Sequence, residues 1–390
     1  MQTPACHVHV VHLVYRFATG GLENVIVQLI NHLPRNEFRH SVVALTEADP
    51  EFVKRIERDD VEIISLGKLP GQPFRLYPAV YRLLRRLKPD VFHSCNLAAM
   101  EFSPMAALAG IPLRVHVEHG WDMGELGGEN ASYRTLRKLY KPFVNEFIAV
   151  ATPLHDYLDN VIGVSSTHLH LIPNGVDTKR FRPRVESDVP PADFPFRRDA
   201  HWVIGVVGRL VPIKNPMMLV EAFVVLAKSA EPGTERMRLA IVGEGPLAEQ
   251  IKSRMAIAGL GDRLWLPGGR MDIPDILRAL DCFVLPSLSE ATSCTLQEAM
   301  ATGLDIVATH VGGNAELLEQ GRCGSLVPSG DSTALARELL KRFKAEAEKE
   351  QGVAALASIR TRYGLPAVTQ RYREIFLNVP LRCTTSKVAA

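Results

Sequence analysis

Short runs of β-branched and apolar residues alternate along the chain with longer stretches whose apolar residues recur every three or four positions. "VHVVHLVY" leads into "LENVIVQLINHL", and "HSVVAL" into "EFVKRIER". "DVFHS", "LRVHVEH" and "EFIAVA" each precede text with helical spacing. The short runs predict strands and the stretches between them amphipathic helices. Their alternation is that of a parallel, doubly wound α/β sheet. The rhythm stops in "LIPNGVDTKRFRPRVESDVPPADFPFRRDA", where several prolines, an Asn-Gly turn and no periodic apolar face predict a linker. It resumes with "WVIGVVG", "RLAIVG", "RLWLPG", "CFVLPS" and "IVATHV". The expectation is two doubly wound, Rossmann-like domains, residues 1–178 and 179–365, joined near 178–198. The last helical stretch, "PAVTQRYREIFLNV", has no strand after it. A helix over 366–380 is therefore free to pack on either domain, the first included.

Placing polar residues on this map exposes a regularity. Gly20-Gly21, His93, His119, Gly208-Arg209, Gly243 and the segment Ser287 to Glu290 all fall just beyond an apolar run. In open parallel sheets the crevice at the carboxyl ends of the strands is where ligands bind. Six such endings, shared by two domains, predict a ligand held in a cleft between them.

Composition narrows the classes. The chain has 390 residues, 46% apolar and 23% charged, which suits a soluble globular protein of two domains. A net charge of only +2 excludes the global basic field of a dedicated nucleic-acid binder, so no nucleic-acid partner is expected. Two basic segments, "RLLRRLK" (Arg82 to Lys88) and "RTLRKLYK" (Arg134 to Lys141), show helical spacing of Leu and Tyr. They predict solvated faces of amphipathic helices. A docking surface for an anionic membrane, or for an acceptor bearing phosphate, is the other reading. Six scattered cysteines without a CxxC pair argue against a zinc ribbon or a disulfide framework and fit a reducing compartment. No apolar run approaches the roughly 18 residues of a membrane span. "MMLVEAFVVLA" is interrupted by Glu221 and predicts a buried helix. No signal peptide is recognisable at the start, and a cytoplasmic protein is expected.

The richest chemistry lies in "LPSLSEATSCTLQEAMATG", Leu285 to Gly303. Glu290 and Glu298 are separated by seven residues, with small hydroxyl residues among them. On one helix their backbones would stand about 12 Å apart along the axis. Glycosidase carboxyl pairs sit about 5–9.5 Å apart, so the spacing suits two contacts on one extended ligand. Thr292, Ser293 and Thr295 are good N-cap types, so a helix start is expected among them. Its free N–H groups and dipole would make an anion site. A nucleotide-sugar fits this pattern, with the diphosphate on the helix start, Glu298 on the ribose and Glu290 on sugar hydroxyls. A purely structural account competes with it. "TLQE", Thr295 to Glu298, matches a capping box in which Glu298 only bonds a backbone N–H. Cations come from "VGRLVPIKN", where Arg209 and Lys214 follow the first strand of the second domain and could neutralise a leaving diphosphate.

Together "GRLVPIKN", "IVGEGPL" and "PSLSEATSCTLQEAMATGLDIVATHVGGNAELL" resemble the second domain of the GT-B retaining glycosyltransferases of the group-4 family, nucleotide-sugar enzymes also known as glycosyl transferases group 1. "YRFATGGLENVIVQLINHL" is similar to that family's glycine-rich first loop, and "HVEHGWD" to the segment bearing its active-site histidine. The wording of "VYRFATGGLENVIVQLINHLP" and "EHGWD" looks closest to bacterial exopolysaccharide transferases linked to exosortase systems. The resemblance implies a hexosyltransferase of two Rossmann-like domains facing across a cleft. It would transfer sugar from a nucleotide-sugar donor such as a UDP-sugar, with retention and without a metal or other cofactor. The acceptor would be a glycan or lipid-linked, with peripheral contact at the inner membrane. Carried over by position, Gly20 and Gly21 would offer N–H groups near phosphate and acceptor, and His119 would contact the transferred sugar. Arg209 and Lys214 would bind the diphosphate, Glu290 the sugar hydroxyls, and the backbone at Ser293, Cys294 and Thr295 the phosphate. Glu298 would bind the ribose, while Gly243 and Arg270 would border the base pocket. The departing phosphate would take the acceptor's proton. Where many relatives carry glycines after the first glutamate, this chain has "ATSCT", whose side chains would narrow the sugar pocket.

Other readings compete. "VGEGPLA" matches the G-x-G-x-x-A dinucleotide fingerprint, but "RLWLPGGR" supplies no carboxylate at the next strand's end, and the motif is not in the first βαβ unit of its domain. Histidines 7, 9, 12, 116 and 119 could suggest a metal site; polar strand faces account for them more simply, with His119 set apart by its place at a strand end. A catalytically silent nucleotide-sugar binder, a sugar-nucleotide epimerase and a glycan phosphorylase share the same fold expectation.

Overall fold

The computed structural model describes residues 7–69, 71, 73–120, 128–345 and 350–379. Trp121 and Asp122 of the "HVEHGWD" segment, Cys6, Cys383 and residue 380 lie outside the described residues. The chain divides into two compact units, one of residues up to Asn174 together with those from Pro366 onward, the other Gly175–Leu365.

In the first unit, β1 (Val8–Val14), β2 (Phe38–Ala44), β3 (Glu62–Ser65), β4 (Val91–Cys95), β5 (Leu113–Glu118), β6 (Glu146–Ala149) and β7 (Leu169–Leu171) form one sheet. Its order is β3-β2-β1-β4-β5-β6-β7, and every pairing is parallel. Between the strands run α1 (Gly21–His32), α2 (Pro50–Val53), α3 (Tyr77–Leu87), α4 (Asn96–Met100), α5 (Ser103–Leu108), α6 (Ala131–Tyr140) and α7 (Thr152–Asp156). The chain steps outward from β1 to β3, then returns to β4 and proceeds the other way. Right-handed crossovers therefore put α1 and α2 on one face and α3 to α7 on the other. The core agrees: Ile26, Ile30 and Phe52 pack with Val14 and Val42, whereas Val80, Leu84, Phe102 and Ala106 pack with Leu13 and Phe92. β1 is buried along its whole length, as a central strand covered on both faces must be.

In the second unit, β8 (Trp202–Val207), β9 (Met237–Val242), β10 (Leu264–Gly268), β11 (Cys282–Leu285), β12 (Asp305–Thr309) and β13 (Ser325–Val327) take the order β10-β9-β8-β11-β12-β13, again parallel. Its helices are α8 (Pro216–Ala227), α9 (Ala248–Ile257), α10 (Ile273–Ala279), α11 (Cys294–Thr302), α12 (Asn314–Leu317), α13 (Ser332–Lys344) and α14 (Glu350–Arg362). α8 is the buried helix expected of its apolar text, and Glu221, its one interruption, faces out to a bidentate pair with Arg254. The last helix, α15 (Leu365–Leu377), belongs to the first unit. Tyr372 and Phe376 lie against the His93 ring, and Arg373 grips Glu37 with two bonds of 2.6 and 2.8 Å.

Three expectations need correction. The segment read as a linker packs as part of the second unit: Phe181 and Phe196 enter its core, Phe194 meets Trp265, and Arg182 ties to Asp188. "EFVKRIER" is helical only as far as Val53. Beyond it Arg55 bonds Asn24, while Arg58 is buried and bonds Phe38 O and Asp60, so tertiary partners replace the next helical turn. Arg137 of the "RTLRKLYK" segment is not on a solvated face; it is 1% exposed and ion-paired with Glu118 at 2.7 Å.

Candidate functional site

Both sheets reverse their strand order beside the first strand, between β1 and β4 in one and between β8 and β11 in the other. Such reversals open a crevice at the carboxyl edge, because the two flanking connections leave in opposite directions. Nearly all the predicted site residues stand at these two reversals or beside them.

In the second unit, β8 runs into Gly208 and Arg209, then a 3-10 turn, Pro212–Lys214. β11 runs into Pro286, Ser287 and the loop ending at Ser293. Leu288 N donates to Ile213 O at 2.8 Å and fastens the two loops together. Lys214 Nζ then reaches Glu290 Oε1 at 2.7 Å, and Ser287 Oγ donates to the same oxygen at 2.6 Å. Glu290 is 8% exposed, and these two donors replace the water its carboxylate has lost. The loop is braced from behind: Thr309 Oγ1 donates to Ser287 O at 2.7 Å, Asn314 Nδ2 to Thr309 O at 3.0 Å, and Gly313 N to Ala291 O at 3.0 Å. Gly312 has φ +49°, and a Cβ built on it would lie 1.5 Å from Glu290 O. No side chain fits there.

α11 starts at Cys294 with Ser293 as its N-cap, whose hydroxyl accepts from Leu296 N at 3.3 Å. The capping-box account is thereby corrected. Thr295 is the second helical residue, Leu296 occupies the third, and Glu298 lies too far along the helix to bond the cap. Glu290 stands before the helix altogether, so the two glutamates do not share one axis. The first turn of α11 contains no acid. A helix start of this kind can seat an anion, and Thr295 Oγ1 stands beside Ser293 Oγ there at 3.1 Å. Arg209 is exposed, with no ion pair among the described residues.

The remaining second-unit residues are less open. Gly243 takes φ +143°, and a Cβ there would strike Gly208 O at 1.9 Å. The "VGEGPLA" glycine is thus required by backbone packed on backbone, between the loops after β8 and β9. Arg270 is held by Asp272 at 2.6 and 2.8 Å and by Asp193 at 2.7 Å, and lies over the Trp265 ring. Its charge is already neutralised by those two acids.

In the first unit, Gly20 is the N-cap of α1 and Gly21 its first residue. The carboxylate of Glu23 lies over Gly20, 2.1 Å from where a Cβ would stand. Unlike α11, this helix start carries its own acid. His119 directly follows β5, and its backbone N donates to Asn96 Oδ1 at 2.8 Å. Asn96 follows β4 with φ +60°, so it links the reversal point to His119. Asn96 was not foreseen; its only signal in the sequence is an Asn directly after an apolar run. Both ring nitrogens of His119 are out of solvent and lack a partner among the described residues. Burial, reinforced by His116 and opposed by Glu118, holds its pKa down to about 4, so the ring is neutral near pH 7. Glu118 itself would be raised by burial, but Arg137 and His116 bring it to about 2.

His93 is not at the strand end expected for it. β4 continues through Ser94 and Cys95, and His93 is buried, hydrogen-bonded to His12 at 2.8 Å; His12 in turn bonds His40 at 3.0 Å. His9 meets Ser41, and His116 meets Ser94 and Glu118. Among the described residues no three His, Cys, Asp or Glu side chains are grouped to hold a metal ion.

Two Rossmann-like parallel-sheet domains, each with chemistry at its strand-order reversal, define the GT-B class of sugar-transferring proteins. Comparison with known proteins agrees. Residues 19–180 match the family described as Glycosyltransferase Family 4, and 201–344 that described as Glycosyl transferases group 1. Over 363 residues the chain is 31% identical to the UDP-Gal:alpha-D-GlcNAc-diphosphoundecaprenol alpha-1,3-galactosyltransferase of Escherichia coli, covering 87% of this chain and 89% of that one. The GDP-mannose-dependent alpha-mannosyltransferase of Mycobacterium tuberculosis is 25% identical over 339 residues, covering 80% and 81%. Among solved structures, Anabaena Alr3699/HepE in complex with UDP and glucose superposes with a TM-score of 0.79 at 21% identity, covering 96% of this chain and all of that one. Sucrose-phosphate synthase from Thermosynechococcus elongatus gives 0.77 at 19%, covering 95% and 100%. The chain belongs to the family 4, group 1 glycosyltransferases.

Proposed function

We propose that the protein moves a hexose, with retention, from a nucleoside-diphosphate sugar to a glycan or lipid-linked acceptor in cytoplasmic assembly of bacterial exopolysaccharide or other envelope glycan. The observation that carries this reading is the meeting of Lys214, Ser287 and Glu290 beside a helix start with no acid of its own. A diphosphate seated on the N–H groups at Cys294 and Thr295 would draw Lys214 toward it, with Arg209 as a second cation. Glu290, still held by Ser287, would then accept from sugar hydroxyls, and Glu298 from the ribose. Charge on the leaving diphosphate would be met by these cations and the helix dipole, with no metal ion required. Neutral His119 would donate a hydrogen bond to the transferred sugar, where positive charge would repel the developing oxocarbenium. The phosphate oxygen freed on the leaving side would take the acceptor's proton. A UDP-sugar is the first donor to test, since the Escherichia coli relative is named for UDP-Gal; the mycobacterial relative's GDP-mannose keeps a guanine donor among the trials.

Thermal shift with UDP, GDP and ADP tests the reading. One diphosphate should stabilise the protein by about 2.7 kcal/mol at a hundredfold excess over its Kd. Glu298→Ala should weaken that nucleotide's affinity by more than it lowers the ligand-free stability. Absence of a shift with all three nucleotides, or an unchanged affinity in Glu298→Ala, would overturn it.

A further inference from the structure

We infer that Asn96 is a positioning residue for sugar transfer, its side chain fixing the backbone from which the His119 ring is presented. The inference rests on the part given to His119 in the proposed function. Main-chain pairing of β5 stops just short of this histidine. On one side the last partners are Cys95 and Val117, on the other Ala149 and Glu118. His119 N, one residue further on, donates to the Asn96 side chain, reaching Oδ1 at 2.8 Å. Asn96 supplies that acceptor because its own backbone has turned away. At φ +60° it leaves the direction of β4 and begins α4, so its carboxamide takes the place of the next main-chain oxygen.

No local duty explains the side chain. An Asn near a helix start ordinarily bonds the backbone of its own turn. α4 instead has Cys95 as its N-cap and no side-chain cap bond, while Asn96 Oδ1 reaches a residue 23 positions away. Two requirements meet at this position, a left-handed φ and an acceptor at short reach. Among side chains that tolerate such a φ, Asn and Asp alone carry an oxygen that close to the backbone. Asn96 Nδ2 has no partner among the described residues, so the whole grip is the Oδ1 bond. Neither ring nitrogen of His119 has a partner among them either, so the ring takes its direction from its backbone. A misplacement of about 1 Å at a group that must meet the reacting centre can cost about a hundredfold in rate.

Kinetics of the full-length protein and its variants test it. Asn96→Gly keeps the left-handed φ without strain and removes the acceptor. Its kcat should fall at least about tenfold, while nucleotide affinity and the donor's KM stay within about twofold of wild type. Asn96→Asp keeps both the φ and the acceptor. It should return kcat to within about threefold of wild type at about pH 8, where the ring stays neutral beside the added carboxylate. In a His119→Ala background, Asn96→Gly should lower kcat no further, because the two residues act as one unit. A role in stability alone would lower the melting temperature and add its loss to that of His119→Ala. Wild-type kcat in Asn96→Gly, with His119→Ala impaired, overturns the inference and leaves the functional reading standing. Additive losses in the double variant, or a folded Asn96→Asp no better than Asn96→Gly, overturn it equally. Wild-type turnover in His119→Ala would instead sink the role proposed for the histidine, and this inference with it.

Discussion

Glu290 sits at a junction where three demands meet. Its carboxylate is nearly buried, its Oε1 is claimed by Ser287 and Lys214, and its carbonyl is crowded by Gly312. Removing Lys214 therefore does more than subtract a phosphate contact. Lys214→Ala should lower unfolding free energy by about 1–2 kcal/mol, below the loss for a fully buried pair because the lysine is 29% exposed. Adding Glu290→Gln should recover most of that stability, yet transfer should remain abolished in the double variant. Urea melts beside a turnover assay separate the two effects; turnover at the wild-type rate in Lys214→Ala would remove the residue from the site. Gly312→Ala meets a harder obstacle, a backbone oxygen that cannot swing aside. It should cost about 1–3 kcal/mol through its left-handed φ, and should cripple transfer further by displacing Glu290. Wild-type turnover in that variant would show that the loop tolerates movement.

At the scale of elements, central strands were legible and three of the four sheet edges were not, β10 being the edge that was read from its apolar run. Every strand in the interior of the two sheets was foreseen from its apolar run, whereas β3, β7 and β13 were not, and each is a sheet edge of three or four residues. Short edge strands bury little, so they carry little apolar signal to read. The helix start at Ser293 was legible because caps draw on a small set of residues, and its register rules out the capping box, one of the two accounts open for Glu298. The brace from Thr309 and Asn314 was not legible, since nothing local says that a threonine ending β12 will hold the carbonyl of Ser287. Arg137 misled for the same reason. Its helical spacing suits a wet face, and only the partner across the fold, Glu118, explains its burial. The two helix starts also differ in a way spacing alone does not reveal. α1 has Glu23 folded over its first residues, while the first turn of α11 has no acid of its own.

At the scale of the molecule, the first sheet carries an unusual interior of histidines. His12, His40 and His93 are buried and bonded to one another, and burial drives their pKa values down, that of His40 to about 3. They fold neutral, while the unfolded chain binds protons near pH 6.5. The stability they contribute is thus complete above about pH 6.5 and is lost as pH falls toward the folded values. Each such histidine adds up to about 1.4 kcal/mol per pH unit to the slope. Denaturant unfolding compared at about pH 7 and about pH 5 should show this loss, and His40→Asn should flatten it; a slope unchanged by that variant would place the acid sensitivity elsewhere.

The return of α15 to the first unit has a consequence for how the polypeptide matures. Tyr372, Arg373 and Phe376 supply contacts to Phe38, Glu37 and His93, residues made roughly 280 to 340 positions earlier. As the ribosome works, the earlier-born domain must wait, its histidine layer without its lid, until the later-born one has already emerged entire. Order of synthesis and order of completion are inverted: what is begun first is finished last, and a chain halted anywhere before Pro366 leaves its opening half unsealed.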